Sequence, residues 1–194
     1  MSPGRRGGRR QADSPYITAV EVFLFRELEV GVEWLLLRLP SGVWQPVAGK
    51  IGPREDPIQA AAREALEETG IADVAPRPAH YIDAFIDPDR GRSFMLPVFY
   101  ARVDPEAAVQ ISEEHTEFAW LPFEKALERL PYHGYREALK ASDAARLAEA
   151  VTGIPPGVRR APEVADRPPP ASGRRRRRRR RGRRRGHGGE PPPG

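Results

Sequence analysis

Three glutamates, Glu64, Glu67 and Glu68, lie close together in a segment that reads REALEETG. Residues three and four positions apart share one face of a helix, so a helix here would make these carboxylates neighbours. Such a cluster can be a solvated acidic face, but solvated faces usually intersperse Lys or Arg, and only Arg63 borders this one. Oxygen ligands favour hard cations such as Mg²⁺ or Mn²⁺. The residues alone therefore leave open a solvated acidic face and a divalent-metal site.

The helix that must carry these glutamates has clear start and stop signals. Asp56 can cap it, Pro57 suits its first position, and Gln59 completes a capping box. Gly70 suits a left-handed residue that ends it. At about 100° per residue, the side away from the glutamates collects Ile58, Ala62, Ala65, Leu66 and Thr69. We expect that side to pack on the core and the glutamates to face away from it.

The rest of the central region reads as strands and two later helices. Segments rich in β-branched and aromatic residues predict strands at YITAVEVFLFR, EWLLLRL, VWQPVAG, HYIDAFID, RSFMLPVFYARV and TEFAWLP. The helical patterns are PFEKALERL and GYREALKASDAARLAEAV. Strands, a helix, more strands and final helices predict an α+β fold with a mixed sheet. Phe94, Tyr100 and Trp120 are expected in the core.

Composition divides the 194-residue chain into three parts. Residues 1–15 and 154–194 are rich in Arg, Gly and Pro, and we expect a disordered basic arm and a disordered tail there. Residues 16–153 form the predicted domain, which is acidic although the whole chain carries +5. The chain has no cysteine and no long apolar run, so we expect a cytoplasmic protein without a membrane segment. Its four histidines form no ligand-spaced cluster and are expected to be ordinary surface or packing residues.

The segment from residue 49 to residue 71 resembles the Nudix box. The box is a pattern of Gly, five residues, Glu, seven residues, Arg-Glu, an apolar residue, any residue, Glu-Glu, any residue, Gly and an apolar residue. The matching positions are Gly49, Glu55, Arg63, Glu64, Ala65, Glu67, Glu68, Gly70 and Ile71. The resemblance to the Nudix hydrolase superfamily, the MutT-like proteins, covers roughly residues 16 to 140. It implies an α/β/α sandwich with a mixed sheet.

The same resemblance implies Mg²⁺-dependent hydrolysis of a nucleoside diphosphate linked to another group, with Mn²⁺ as an alternative metal. Glu64, Glu67 and Glu68 match the metal ligands of the family, and Glu64 is also a candidate base. Arg63 matches the residue that orients the glutamates. By the same matching, Glu55 is an accessory carboxylate and Gly49 supplies a backbone carbonyl near the metal.

Two further segments resemble the dihydroneopterin triphosphate and dATP pyrophosphohydrolase branch of the family. They are WQPVAG before the box and the EH pair after it. By this resemblance Glu114 is a further metal ligand, although Glu113 or Glu117 could replace it. Trp44 and Gln45 are candidates to line a base or pterin pocket, because an aromatic ring can stack on a heterocycle and an amide can read its edge. We expect a nucleotide or pterin triphosphate substrate.

Several alternatives remain open from the sequence. Phe85 and Ile86 stand where diadenosine polyphosphate hydrolases tend to place a Tyr, which argues against that branch, whereas ADP-ribose stays open. The arginine run at 174–181 could bind RNA or DNA nonspecifically, so an RNA-associated Nudix protein that acts on or binds 5′ ends is the competing class. A homodimer is also left open.

Overall fold

The computed structural model describes residues 17–88 and 91–153. The predicted arm at 1–15 and tail at 154–194 lie outside the described residues. The strands are β1 (Ala19–Leu28), β2 (Gly31–Arg38), β3 (Trp44–Gln45), β4 (Val47–Lys50), β5 (Arg77–Asp87), β6 (Arg92–Arg102) and β7 (Glu117–Pro122). The helices are α1 (Pro57–Thr69), α2 (Phe123–Arg129) and α3 (His133–Thr152). Each predicted element is present, and the segment VWQPVAG divides at Pro46 into β3 and β4.

The strands form one mixed sheet, as the sequence predicted. Its central path runs β3-β2-β1-β6-β5, with β4 paired to β1 and β7 paired to β2. The pair β1 and β6 is parallel, and the other pairs are antiparallel. The parallel pair is central because the long β1 strand is hydrogen-bonded along both of its edges. This arrangement puts β1 and β4 beside each other at the middle of the site described below.

Helices cover both faces of this sheet, and the alternation of side chains along β1 shows how. Val20, Val22 and Leu24 point to the face covered by α1. Phe23 and Phe25 point to the opposite face, where they join residues of α2 and α3. A strand alternates its side chains between the two faces, so one apolar strand serves both core layers. The described residues therefore form the predicted α/β/α sandwich.

The predicted core aromatics occupy this core to different depths. Tyr100 is buried, whereas Phe94 and Trp120 are half-buried. Within residues 17–88 and 91–153, no helix has the length and apolar character needed to cross a bilayer.

Candidate active site

Helix α1 begins and ends at the residues that the sequence predicted. Oδ1 of Asp56 accepts hydrogen bonds from the backbone N–H groups of Ile58 and Gln59, each at 2.9 Å. The Asp56 N–H donates to Oε1 of Gln59 at 3.0 Å, which completes the capping box. Gly70 adopts a left-handed conformation with φ of 70° and ends the helix. These local interactions fix the start of α1 and therefore the register of its glutamates.

The orientation predicted for α1 is wrong in part. Its buried residues are Ala60, Ala61, Glu64, Ala65, Glu68 and Thr69, so two of the glutamates lie on the packed side. Ile58 and Leu66, which were expected to pack, are 44% and 49% exposed. The small alanines let α1 approach the sheet closely, and this approach carries the neighbouring carboxylates inward. Only Glu67 of the three glutamates has an exposed side chain.

The inward carboxylates are pressed against the backbone of β4. A Cβ atom added to Gly49 would overlap the carboxyl group of Glu64, so only glycine leaves room for it there. One residue earlier, the backbone N–H of Ala48 donates to Oε2 of Glu68 at 3.4 Å. Gly49 is therefore next to the glutamates, as its predicted role requires. A side chain at this position would displace the carboxyl group of Glu64.

Arg63 holds much of the predicted set together. Its Nε and Nη2 atoms donate to the two carboxylate oxygens of Glu55 at 2.8 and 3.0 Å. Its Nη1 atom lies 2.8 Å from oxygens of both Glu64 and Glu67. Its Nη2 atom also donates to the carbonyl of Lys50 at 2.7 Å. The guanidinium group thus fixes Glu55, Glu64 and Glu67 relative to β4 through several charge-assisted hydrogen bonds.

Burial and like charges make the inner carboxylates resist ionisation. Burial raises the pKa of Glu68 to about 8, with the charges of Glu64, Glu114 and Glu67 adding to this rise and the Ala48 N–H opposing it. Burial likewise raises the pKa of Glu64, which Arg63 counteracts. The charge of Glu114 adds to the rise at both groups, and Glu114 directly precedes His115, which lies beside Glu68. In contrast, the hydrogen bonds from Arg63 lower the pKa of the Glu55 carboxyl.

His115 is a residue of this site that sequence reasoning missed. Its side chain is buried, and its Nε2 atom lies 3.8 Å from Oε2 of Glu68. Its Nδ1 atom lies 3.3 Å from the hydroxyl of Ser112. Burial lowers the pKa of His115, which favours the neutral imidazole beside Glu68. The EH pair was the available signal, because residues adjacent in sequence to Glu114 must also approach the box.

Trp44 and Gln45 lie on the other side of the sheet from α1. Trp44 is buried in the core beneath the guanidinium of Arg129, whose Cζ atom is 4.7 Å from the ring centroid. Gln45 is also buried, and its Oε1 atom lies 3.5 Å from the hydroxyl of Tyr135. A core position explains Trp44 without a ligand, and its stacking role stays a prediction. Gln45 is joined through Tyr135 to a cavity described below.

Comparison with known proteins gives the family of this fold. The NUDIX domain model matches residues 15–141. A relative from Myxococcus xanthus named octanoyltransferase is 37% identical over 116 residues, which cover 57% of this chain and 32% of that protein. The chain therefore spans about a third of the length of that relative. The asymmetrical bis(5′-nucleosyl)-tetraphosphatase of Caenorhabditis elegans is 28% identical over 121 residues, covering 60% of this chain and 86% of that protein.

A solved structure agrees with these matches. The binary complex of a C. elegans Ap4A hydrolase superposes with a TM-score of 0.59 and 27% sequence identity, covering 69% of this chain and 98% of that chain. The family match spans more than half of the chain and includes every element from β1 to α2. The chain belongs to the NUDIX domain family.

Proposed function

We propose that the chain is a Mg²⁺-dependent pyrophosphohydrolase that cleaves a phosphoanhydride bond in a nucleoside triphosphate-like substrate and releases a monophosphate and pyrophosphate. The observation that carries the proposal is the packing of α1 on β4. It brings the carboxyl groups of Glu64 and Glu68 to the Ala48–Gly49 backbone, with Glu67 held beside them by Arg63. Substrates of this kind include dNTPs, NTPs and dihydroneopterin triphosphate.

The donor set fits a hard divalent cation. Glu64 and Glu68 are buried carboxylates, which are costly to ionise without a nearby positive charge. Arg63 forms ion pairs with Glu55, Glu64 and Glu67, but among the described residues it forms none with Glu68. Oxygen donors select Mg²⁺ or Mn²⁺. We propose Glu64, Glu67, Glu68, Glu114 and the carbonyl of Gly49 as the donors.

These donors do not form a closed metal cage. Within the described ranges, no three acidic or histidine side chains are already grouped closely enough to hold an ion by themselves. Magnesium sites commonly complete their coordination with water and substrate phosphates rather than with protein ligands alone. The open arrangement is therefore suited to an ion that reaches the site together with a polyphosphate.

The residues of the chain then have separable roles in hydrolysis. A bound Mg²⁺ would supply positive charge to the phosphate oxygens and acidify water. Glu64 is proposed to accept the proton of the attacking water. Its pKa is raised toward neutral pH, which suits a general base better than the pKa of an ordinary glutamate. Arg63 keeps Glu64 and Glu67 in place, and Glu55 fixes Arg63 in turn. His115 lies beside Glu68, with its Nε2 atom 3.8 Å from Oε2 of that residue.

A second candidate substrate class is the dinucleoside polyphosphates. It is favoured by the C. elegans tetraphosphatase, because the match extends over 86% of that protein. Phe85 and Ile86, which stand where that branch tends to place a Tyr, occupy only one short window of the chain. Both substrate classes contain a phosphoanhydride bond, and they differ in the group attached at the far end of the polyphosphate.

The test is hydrolysis by the purified full chain with Mg²⁺, using dNTPs, NTPs, dihydroneopterin triphosphate, ADP-ribose and diadenosine tetraphosphate, with products identified by mass. The proposal expects a monophosphate and pyrophosphate, with the reaction stopped by EDTA and by Glu67→Gln. Glu124→Gln, on an exposed residue of α2, is the matched control and should keep full activity. Release of ATP and AMP from diadenosine tetraphosphate alone would favour the second class. No hydrolysis of any of these compounds would refute both.

A further inference from the structure

A cavity of about 640 Å³ lies between β5 and the first turn of α3, on the sheet face opposite α1. Aromatic and aliphatic side chains make up most of its walls, and its polar groups are few. Residues that line it include Tyr81, Asp83, Phe85, Tyr132, His133 and Tyr135. Aromatic walls around a small number of polar groups are typical of pockets that bind flat organic ligands. None of the box residues lines this cavity.

The carboxyl group of Asp83 is the buried polar group of the cavity. Asp83 is 6% exposed and lies against α3, where a Cβ atom added to Gly134 would overlap its carboxyl group. Glycine at this position therefore makes room for the carboxylate at the positive end of α3. Gly134 is the second residue of α3, and any larger residue there would meet the carboxyl group of Asp83.

Behind Asp83 lies Glu21, a second acid that is 0% exposed. Neither carboxylate oxygen of Glu21 has a hydrogen-bond partner while both acids are ionised. Two carboxylates can only accept hydrogen bonds, but a proton on Glu21 lets it donate to Asp83. Burial, together with the charge of Asp83, raises the pKa of Glu21 to about 9, which favours that proton at neutral pH. Asp83 is then a carboxylate fixed from behind, with lone pairs available to the cavity.

This cavity is adjacent to the phosphate site. Glu21 is the register partner of Ala48 across β1 and β4, and the N–H of Ala48 donates to Glu68. Tyr135 lines the cavity, and its hydroxyl group lies 3.5 Å from Oε1 of Gln45, which is three residues before Ala48 in sequence. A single extended molecule could therefore place a heterocycle in the cavity and its phosphates at Glu64, Glu67 and Glu68.

We propose that the cavity binds the heterocycle of the substrate and that Asp83, supported by Glu21, selects the amino-oxo edge that guanine (2-amino-6-oxo) and pterins (2-amino-4-oxo) share. This inference rests on the proposed function for the identity of the substrate. That edge presents a ring N–H beside an amino group, and a carboxylate offers two oxygens to accept both hydrogen bonds. Adenine presents an unprotonated ring nitrogen at the equivalent position, which would face the negative charge of Asp83.

The test is equilibrium binding of GMP, IMP and AMP to the full chain in EDTA, followed by the intrinsic fluorescence of its tyrosines and tryptophans. IMP keeps the ring N–H of GMP but lacks the amino group. We expect GMP to bind roughly ten-fold or more tightly than IMP, because a buried carboxylate loses one hydrogen bond, and AMP to bind most weakly. Equal binding of the three monophosphates, or a preference for AMP, would overturn the proposal.

Two variants place the preference at Asp83. Asp83→Asn replaces one acceptor oxygen with an amide donor, and Gly134→Ala displaces the carboxyl group without removing it. Both should bring the affinities for GMP and IMP to within about two-fold, from the loss of the charge-assisted bond. Asp73→Asn, at an exposed residue, is the matched control and should keep the preference. If Asp83→Asn does not fold, as judged by circular dichroism, Gly134→Ala still decides the result.

The outcomes separate this inference from the proposed function. If GMP binds best but no polyphosphate is hydrolysed, the heterocycle site is supported and the proposed hydrolase activity is refuted. Hydrolysis of triphosphates at equal kcat/KM for GTP, ITP and ATP would keep the enzyme and refute the role of Asp83. A preference that survives in both Asp83→Asn and Gly134→Ala would refute that role as well.

Discussion

Two acidic regions of the molecule follow the same packing rule on opposite faces of the sheet. On the α1 side, the carboxyl group of Glu64 fits against Gly49 of β4. On the α3 side, the carboxyl group of Asp83 fits against Gly134 of α3. In each case a Cβ atom would overlap the carboxyl group, so glycine lets a charged group approach the backbone closely. Neither glycine is needed there for a positive φ, because neither has one.

The two regions differ in the charge that compensates the acids. Arg63 forms ion pairs with Glu55, Glu64 and Glu67. No arginine or lysine in the described part of the chain pairs with Glu21 or Asp83. The first region therefore has a positive charge built in beside its carboxylates, whereas the second reduces its negative charge by holding a proton on Glu21. Carboxylate side chains of similar chemistry thus acquire different ligand preferences from their neighbours.

The largest expected effect comes from Glu68→Gln. This variant loses a metal-binding charge, so kcat/KM should fall by about 1,000-fold, a loss typical of removing a group that stabilises the transition state. The side-chain amide can still accept from the Ala48 N–H, so the packing is kept. Without metal at pH 9, the unfolding free energy in urea should rise, because glutamine does not ionise where burial raises the pKa of Glu68 to about 8. Lower stability together with lost activity would indicate a structural role instead.

A matched pair of glycine substitutions sharpens the comparison directly. Gly49→Ala should displace Glu64 and reduce kcat/KM by about 100-fold for all substrates, since positioning errors near the reacting groups are costly. Gly134→Ala should leave hydrolysis of a substrate without a selective base within about three-fold and change the choice among bases. Steady-state kinetics on GTP, ITP and ATP distinguish the two patterns. If both variants gave the same pattern, the two regions would not have separate roles.

The smallest expected effect is a change in the pH dependence of stability in Glu21→Gln. The folded-state pKa of Glu21 is about 9, above the ordinary value of 4.5, so the protonated acid stabilises the fold fully below pH 4.5. That contribution decreases as the pH rises from 4.5 through 9. Between pH 5 and about pH 6.5, wild type should lose on the order of 2 kcal/mol more unfolding free energy than the variant.

Urea unfolding in EDTA at the two pH values measures this difference. Glu68 titrates in both proteins, so its contribution cancels in the comparison. Parallel pH profiles for wild type and Glu21→Gln would show that Glu21 ionises at its ordinary pKa and that Asp83 has no proton donor behind it.

Local features of the fold were predictable because their causes are local. Asp56, Gln59 and Gly70 fix the ends of α1 through hydrogen bonds between near neighbours, and the predicted helix is confirmed. The strands were predicted from their β-branched and aromatic composition. The family was recognisable because the box residues stand at fixed spacings within one segment, and the NUDIX match confirms it.

The sequence by itself determined that Glu64, Glu67 and Glu68 are neighbours on α1, because the helical period sets their angles. Only the tertiary structure decided that Glu64 and Glu68 point inward while Ile58 and Leu66 are exposed. The period of a helix relates its side chains to each other, but the elements packed against it decide which side is buried.

The same limit applies to the residues that sequence reasoning missed. His115 meets Glu68 because the segment between β6 and β7 hydrogen-bonds to the C-terminal end of α1. Glu21 meets Asp83 because two strands far apart in sequence lie in one sheet. No pattern within β1 marks Glu21 as half of a pair, since its partner is supplied by β5. Contacts between distant segments follow from strand order and helix packing, which the sequence pattern of a single segment does not contain.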